Sequence, residues 1–220
     1  MSYFTLTTVV ELVCFLFAVI CLLKDKSLVW RSMVVYLLLT CITELVGVYV
    51  INHTSPHNNQ WVYNIFILLE EGFTSLMFYH LLNKYINGKP VIIIGLAIFL
   101  IFYTTNIIDH GFLVYNEHTY TEMSVVFVIY SLYFFFLLIK DERYIDIGYS
   151  AEFWWSVGTL FFYFGITSVN IFDAKLDNVM LNGHHLNFYI FRVLNLILYG
   201  CWSYSFICRK WLTTISKSSL

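Results

Sequence analysis

Four glutamates and one arginine stand inside apolar stretches of this 220-residue chain: Glu11, Glu44, Glu70, Glu71 and Arg192. Hydrocarbon does not solvate such groups, so each needs a partner, and ionisable residues at membrane depth mark function by default. A glutamate in apolar surroundings suits acid–base work or the holding of a cation. The arginine is expected to pair with Glu44 or Glu71. Several carboxylates against one guanidinium leave a negative surplus. Protons, a bound cation or a cationic ligand must neutralise it.

The elements that carry these residues follow from composition. The chain is 60% hydrophobic and 20% aromatic, with a mean hydropathy of +0.74. No soluble domain of this size hides that much apolar surface. Seven apolar stretches read as helices long enough to cross about 30 Å of hydrocarbon at about 1.5 Å per residue. They run from Tyr3 to Leu23, Ser32 to Ile51, Trp61 to Leu82, Val91 to Ile108, Glu122 to Ile139, Ala151 to Phe172 and Phe188 to Cys208. The fold expected is all-α, one polytopic seven-helix membrane domain over residues 1–220. Both prolines, Pro56 and Pro90, fall in loops. Glycines at 47, 72, 95, 158, 165 and 200 read as sites of close helix contact.

Lys24, Lys26, Arg31, Lys84, Lys89, Lys140, Arg143, Arg209, Lys210 and Lys217 all fall on one side of this arrangement, against Lys175 on the other. The positive-inside rule then puts the C-terminus in the cytoplasm and the N-terminus outside. The start Met1–Val10 has no basic segment, so no cleavable signal is expected. All five cysteines lie in the apolar stretches and read as packing residues.

Polar and small residues recur at helical spacing, which gives each helix an inward face. The stripes are Thr7, Thr8, Glu11, Cys14 and Ala18; Thr40, Cys41, Glu44 and Gly47; Asn64, Glu71 and Ser75; Thr159, Tyr163, Thr167 and Asn170; and Arg192, Asn195, Tyr199 and Ser203. Glu70 lies about 100° round its helix from Glu71. Counted along their helices, Glu11 and Glu44 both come about 12 Å below the outer boundary, Glu70 and Glu71 about 13–15 Å, Arg192 about 6 Å and Asn195 about 10 Å. Helices running in alternate directions thus place ionisable groups in one slab. The expectation is an outward-facing polar pocket formed by Glu11, Glu44, Glu71, Arg192 and Asn195, with Glu70 beside it and Asn64 and Asn170 near its mouth. The competing reading is a buried ion-pair network that only sets helix register.

Six histidines fall in the outer loops: His53, His57, His110, His118, His184 and His185. They read as loop polarity where Lys and Arg are avoided, and no metal or other cofactor is expected. The last helix has no lysine for a retinal Schiff base. There are no paired intramembrane histidines for haem, and no G-x-S-x-G or phosphate loop. A net charge of −2 gives no footprint for nucleic acid. Polar residues do not continue down the inner half, where Phe153–Trp155 stand, so a blind pocket is expected rather than a pore.

Glu11, Thr43-Glu44-Leu45, Trp61-Val62-Tyr63-Asn64 with Glu70-Glu71, Phe153-Trp154 through Gly158 and Phe161-Phe162-Tyr163, and Asn195 through Leu198-Tyr199 to Ser205-Phe206-Ile207-Cys208 form a further pattern. In these motifs the chain resembles a group of short seven-span proteins of Bacteroidota, along nearly its whole length. The resemblance implies the bacterial inner membrane and no activity. Three functions fit. The first is a module that binds or senses a small polar or cationic ligand from outside and acts through a protein partner. The second is an enzyme on a lipid or lipid-linked substrate, with Glu71 or Glu44 as base and Arg192 holding phosphate. The third is an oligomeric accessory or effector protein, as in a defence system.

Overall fold

The computed structural model describes residues 5–53, 58–141, 146–176, 179–181 and 183–218. Tyr3, His57 and Arg143 lie outside the described residues, as do the side chains of 173, 174 and 212–218. Seven helices follow one another: α1 (Leu6–Leu22), α2 (Leu28–His53), α3 (Gln60–Leu82), α4 (Lys89–His110), α5 (Glu117–Lys140), α6 (Ala151–Leu176) and α7 (Leu186–Ser218). Six of them, α2 to α7, are long and apolar enough to cross a membrane, the signature of a multi-pass membrane protein. The 17 residues of α1 make it the shortest, about 26 Å long at about 1.5 Å per residue.

Helix ends follow local chemistry where it is readable. The Thr5 hydroxyl caps α1 by accepting from the Thr8 N–H at 3.2 Å. Pro90 stands in the first turn of α4, where its missing N–H costs nothing. Several helices outrun their apolar stretches. Thus α5 starts at Glu117 rather than Glu122, and α7 continues to Ser218. Backbone hydrogen bonding carries a helix on into polar sequence that a hydropathy window ends at. One departure from an all-α chain is a two-residue antiparallel ladder, Met180–Leu181 with His184–His185, turned at Gly183 with φ 81°. A positive φ suits a glycine in such a tight turn.

Six helices form a closed ring through the contacts α1–α2, α2–α3, α3–α5, α5–α6, α6–α7 and α7–α1. Helix α4 stands outside it, packed on α3 and α5. Its buried residues, Ile92, Gly95, Phe99 and Tyr103, make one narrow stripe, while Ile93, Ile94, Ile101 and Ile108 are exposed as a lipid-facing surface would be. A close approach of two helices is made at Gly158 on α6. A Cβ there would meet the Cys201 Cβ at 2.8 Å and the Leu198 carbonyl oxygen at 3.1 Å. Gly72 and Gly200, also expected at contacts, have open space instead.

The end of the ring where α1 begins and the end where α1 finishes are built differently. The second is filled with aromatic side chains. Trp155 and Trp202 stack at 5.7 Å, and Phe78 meets Trp155 edge-on at 5.2 Å. The Trp202 indole N–H donates to the Trp155 carbonyl and the Thr159 hydroxyl, each at 3.2 Å. Beyond this floor, charges tie four segments together. Arg209 of α7 holds Asp25 of the α1–α2 loop through Nε at 2.9 Å and Nη2 at 3.2 Å. Lys84 after α3 reaches Glu152 of α6 at 2.6 Å, and Arg209 stands 3.6 Å from the same oxygen.

The Asp25 side chain is 1% exposed and that of Arg209 20%. Removing one partner of a buried pair costs about 3–5 kcal/mol, less when one member keeps solvent. Arg209→Met is therefore expected to destabilise by about 2–3 kcal/mol, and adding Asp25→Asn to recover part of it. Thermal unfolding in detergent reads both. An unchanged melting temperature in Arg209→Met would mean that the pair contributes nothing to stability.

Candidate functional site

A cavity of about 400 Å³ opens inside the ring at the end where α1 begins. All six ring helices supply its wall. On α2 the residues facing it are Tyr36, Thr40 and Glu44, an i, i+4, i+8 series. On α3 they are Tyr63, Phe66, Ile67 and Glu70. Helix α1 adds Thr7 and Glu11, and α7 adds Phe191, Asn195, Leu198 and Tyr199. Tyr115, Glu117 and Tyr120 enter from the α4–α5 loop and the start of α5, and Phe162, Ile166 and Asn170 from α6. Among the described residues four lining side chains are carboxylates (Glu11, Glu44, Glu70 and Glu117), and none is Lys, Arg or His. Glu117 is exposed, Glu44 half-buried, and Glu11 and Glu70 buried, so carboxyl groups descend from the mouth into the interior.

Two of the carboxylates are held by tyrosines of distant helices. Tyr163 on α6 donates its hydroxyl to Glu70 Oε1 at 2.7 Å. Tyr199 on α7 donates to Glu11 Oε1 at 3.2 Å. Glu11 is 4% exposed, and its Oε2 is buried with no hydrogen-bond partner among the described residues. Asn170 reaches across to the Thr121 hydroxyl of α5 at 2.7 Å, and Asn195 donates to the Phe191 carbonyl one turn back at 2.8 Å.

Of the eight residues singled out in the sequence, five line this cavity: Glu11, Glu44, Glu70, Asn170 and Asn195. Glu71, Arg192 and Asn64 do not. Helix α3 carries two polar faces about 100° apart, and the sequence stripe followed the wrong one. Glu71 is 1% exposed outside the cavity wall and accepts from the Ser75 hydroxyl at 2.8 Å. Arg192 also departs from expectation. It makes no ion pair with Glu44 or Glu71 among the described residues; its guanidinium lies 3.9 Å from the centroid of the Phe188 ring. Side chains on a helix lean toward its N-terminus, so from the second turn of α7 a long side chain runs out over the preceding turn.

Asn64 does different work. Its amide donates to the carbonyls of Phe112 at 2.8 Å and Val114 at 2.7 Å, and its Oδ1 accepts from the Asn116 N–H at 3.0 Å. Asn58 donates to the Leu113 carbonyl at 2.8 Å, and Gln60 Oε1 accepts from the Tyr115 N–H at 3.3 Å. Together the start of α3 holds the α4–α5 loop in the place from which Tyr115 and Glu117 reach the cavity.

Tyr199 stood on the inward stripe of α7, but Tyr36, Tyr63, Tyr115 and Tyr120 were missed as wall residues. Tyr36 stands one turn before Thr40 on the stripe already drawn, and extending that stripe would have found it. Tyr63 crosses toward α2 at Gly47, where an added Cβ would come within 2.7 Å of its hydroxyl. Among the histidines, His53 stacks on Tyr49 at 4.4 Å and His184 on Phe188 at 4.3 Å. Among the described residues no group of three His, Cys, Asp or Glu is placed to hold a metal ion. Comparison with family models, curated proteins and solved structures finds no match to this chain.

Asn64 is 0% exposed, and its loss orphans two loop carbonyls and one N–H. Each orphaned buried group costs about 1–3 kcal/mol, with water reaching some of them. Asn64→Ala is expected to destabilise by roughly 2–4 kcal/mol and to raise amide exchange at residues 112–116 above that elsewhere. Uniform exchange after the substitution would remove the special role given to this side chain.

Proposed function

We propose that this chain is a multi-pass inner-membrane protein that binds a small cationic ligand in its cavity from the outer side and acts through a protein partner. The observation that carries the reading is the make-up of the wall: four carboxylates and no basic side chain among the described residues. An anionic cavity with low-dielectric walls concentrates cations. Its volume falls within the roughly 300–1,000 Å³ of small-molecule sites.

In this reading α1 is a seventh span, the N-terminus is outside and the C-terminus cytoplasmic. Support comes from Lys24, Lys26, Arg31, Lys84, Lys89, Arg209 and Lys210, all at the end of the bundle opposite the cavity. The inner membrane rests on the resemblance to the Bacteroidota group. The reading as a lipid enzyme required Arg192 as a phosphate holder beside the glutamates, and that side chain is not on the cavity wall. No observation specifically favours the effector reading.

Salts of sodium, magnesium, calcium and organic ammonium ions, titrated at constant ionic strength, test the reading through the melting temperature of the purified protein. At least one is expected to raise it in wild type. The rise should shrink in Glu11→Gln and persist in Arg192→Ala. A flat response to every cation would sink the proposal.

A further inference from the structure

We infer that the cation is an alkylated organic ammonium ion rather than a metal, a step that rests on the cavity being a cation site. Three features of the wall point there. The carboxylates come from four different helices, and no three His, Cys, Asp or Glu side chains among the described residues converge on one point. A calcium ion takes six to eight oxygens at about 2.3–2.6 Å, which demands convergence. The described residues offer no such group. An ammonium bearing methyl or methylene groups spreads its charge over a larger surface, and dispersed carboxylates suit it.

The second feature is aromatic. Tyr36, Tyr63, Tyr115, Tyr120 and Tyr199 all line the cavity beside the carboxylates. Aromatic rings attract cations, and cages of them are the recurrent means of recognising quaternary ammonium groups. A strongly hydrated inorganic ion gains little from such a wall, whereas alkyl groups are buried by it. The third is an unfilled valence. Glu11 Oε2 is buried and without a hydrogen-bond partner among the described residues, while Oε1 is fixed by Tyr199. It remains as an acceptor for a ligand on the wall of a space of about 400 Å³, where a single water needs only about 10–15 Å³.

The ligand therefore sits with its ammonium group near Glu11 and its alkyl groups against tyrosine rings. Glu117 at the mouth provides the first attraction. The full-length protein, purified in detergent, is titrated calorimetrically with choline and with tetramethylammonium, and separately with sodium, magnesium and calcium at matched ionic strength. Choline and tetramethylammonium are expected to bind more tightly than any of the inorganic ions. Glu11→Gln and Tyr115→Leu should each weaken them about tenfold or more, as loss of a desolvated cation contact does. Tyr115→Phe, which keeps the ring, should retain binding. If Glu11→Gln does not fold, Glu44→Gln replaces it with the same expectation. Binding of a metal ion alone would overturn the ammonium assignment and leave the cation site standing. Binding of no cation would overturn both. Choline binding that neither Glu11→Gln nor Tyr115→Leu weakens would place it elsewhere on the molecule and overturn the assignment.

Discussion

A polar group at hydrocarbon depth finds no water, so the protein must supply its partner. Three kinds of side chain meet this constraint here in three ways. Hydroxyls turn back on their own helix: Thr40 donates to the Tyr36 carbonyl at 3.1 Å, Ser131 to that of Phe127 at 2.8 Å, Thr159 to that of Trp155 at 2.8 Å. Their donor needs no neighbour and is spent on their own helix, though Thr159 also accepts from the Trp202 indole of α7. An amide both donates and accepts, and Asn64 uses both capacities to hold a loop. An ionised carboxylate only accepts, and its own helix has no backbone donor to spare. Its partner must come from elsewhere. Hence Glu70 ties α3 to α6 through Tyr163, and Glu11 ties α1 to α7 through Tyr199. The relative positions of these helices, and so the shape of the cavity, depend on two tyrosine–glutamate contacts.

The same constraint explains the division of the ring along its length. Toward the floor the large interior side chains are aromatic, and the Trp202 indole spends its N–H on the Trp155 carbonyl and Thr159 hydroxyl of α6. Packing there is dense enough that α6 and α7 meet through Gly158 and Cys201. Toward the cavity, carboxylates and amides from separate helices cannot pack against one another without donors between them. The space left among them is the consequence. Passage through the bundle would require Trp155 and Trp202 to part, against their stacking and the hydrogen bonds of the Trp202 indole. The architecture suits a site that is reached from one end.

Much of this was legible because helix period and apolar length are strong signals. The long apolar elements, the inward stripes of α1, α2 and α7 and the approach of Glu11 and Glu44 toward one end all follow from residue spacing. Glu70 and Glu71 were ordered wrongly because α3 has two polar faces and spacing alone does not say which neighbour each one meets. On the face bearing Asn64 and Glu71, Asn64 is taken up by a loop and one oxygen of Glu71 by Ser75. The face bearing Tyr63 and Glu70 borders the cavity. The loop over residues 111–116 was unreadable, since what shapes it is a side chain some fifty positions earlier. Tyr163 and Tyr199 stood on inward stripes, whereas Tyr36, Tyr63, Tyr115 and Tyr120 escaped notice because a hydropathy pattern scores them by their rings and ignores the hydroxyl.

Arg192 shows why a count of opposite charges does not give a pairing. A guanidinium directed into the cavity would have neutralised one carboxylate and filled part of the space. Its attraction to a glutamate would have had to exceed the cost of withdrawing it from water, which is several kcal/mol for a buried ion. On the second turn of α7 a cheaper arrangement is at hand. Phe188 stands one turn back on the same face, and the guanidinium lies over its ring while half-buried. Holding the arginine there leaves the carboxylates of the cavity without a counter-charge on the wall among the described residues. An open cavity and one closed by its own ion pair differ in this single side-chain position, and the contact with Phe188 keeps the guanidinium off the cavity wall.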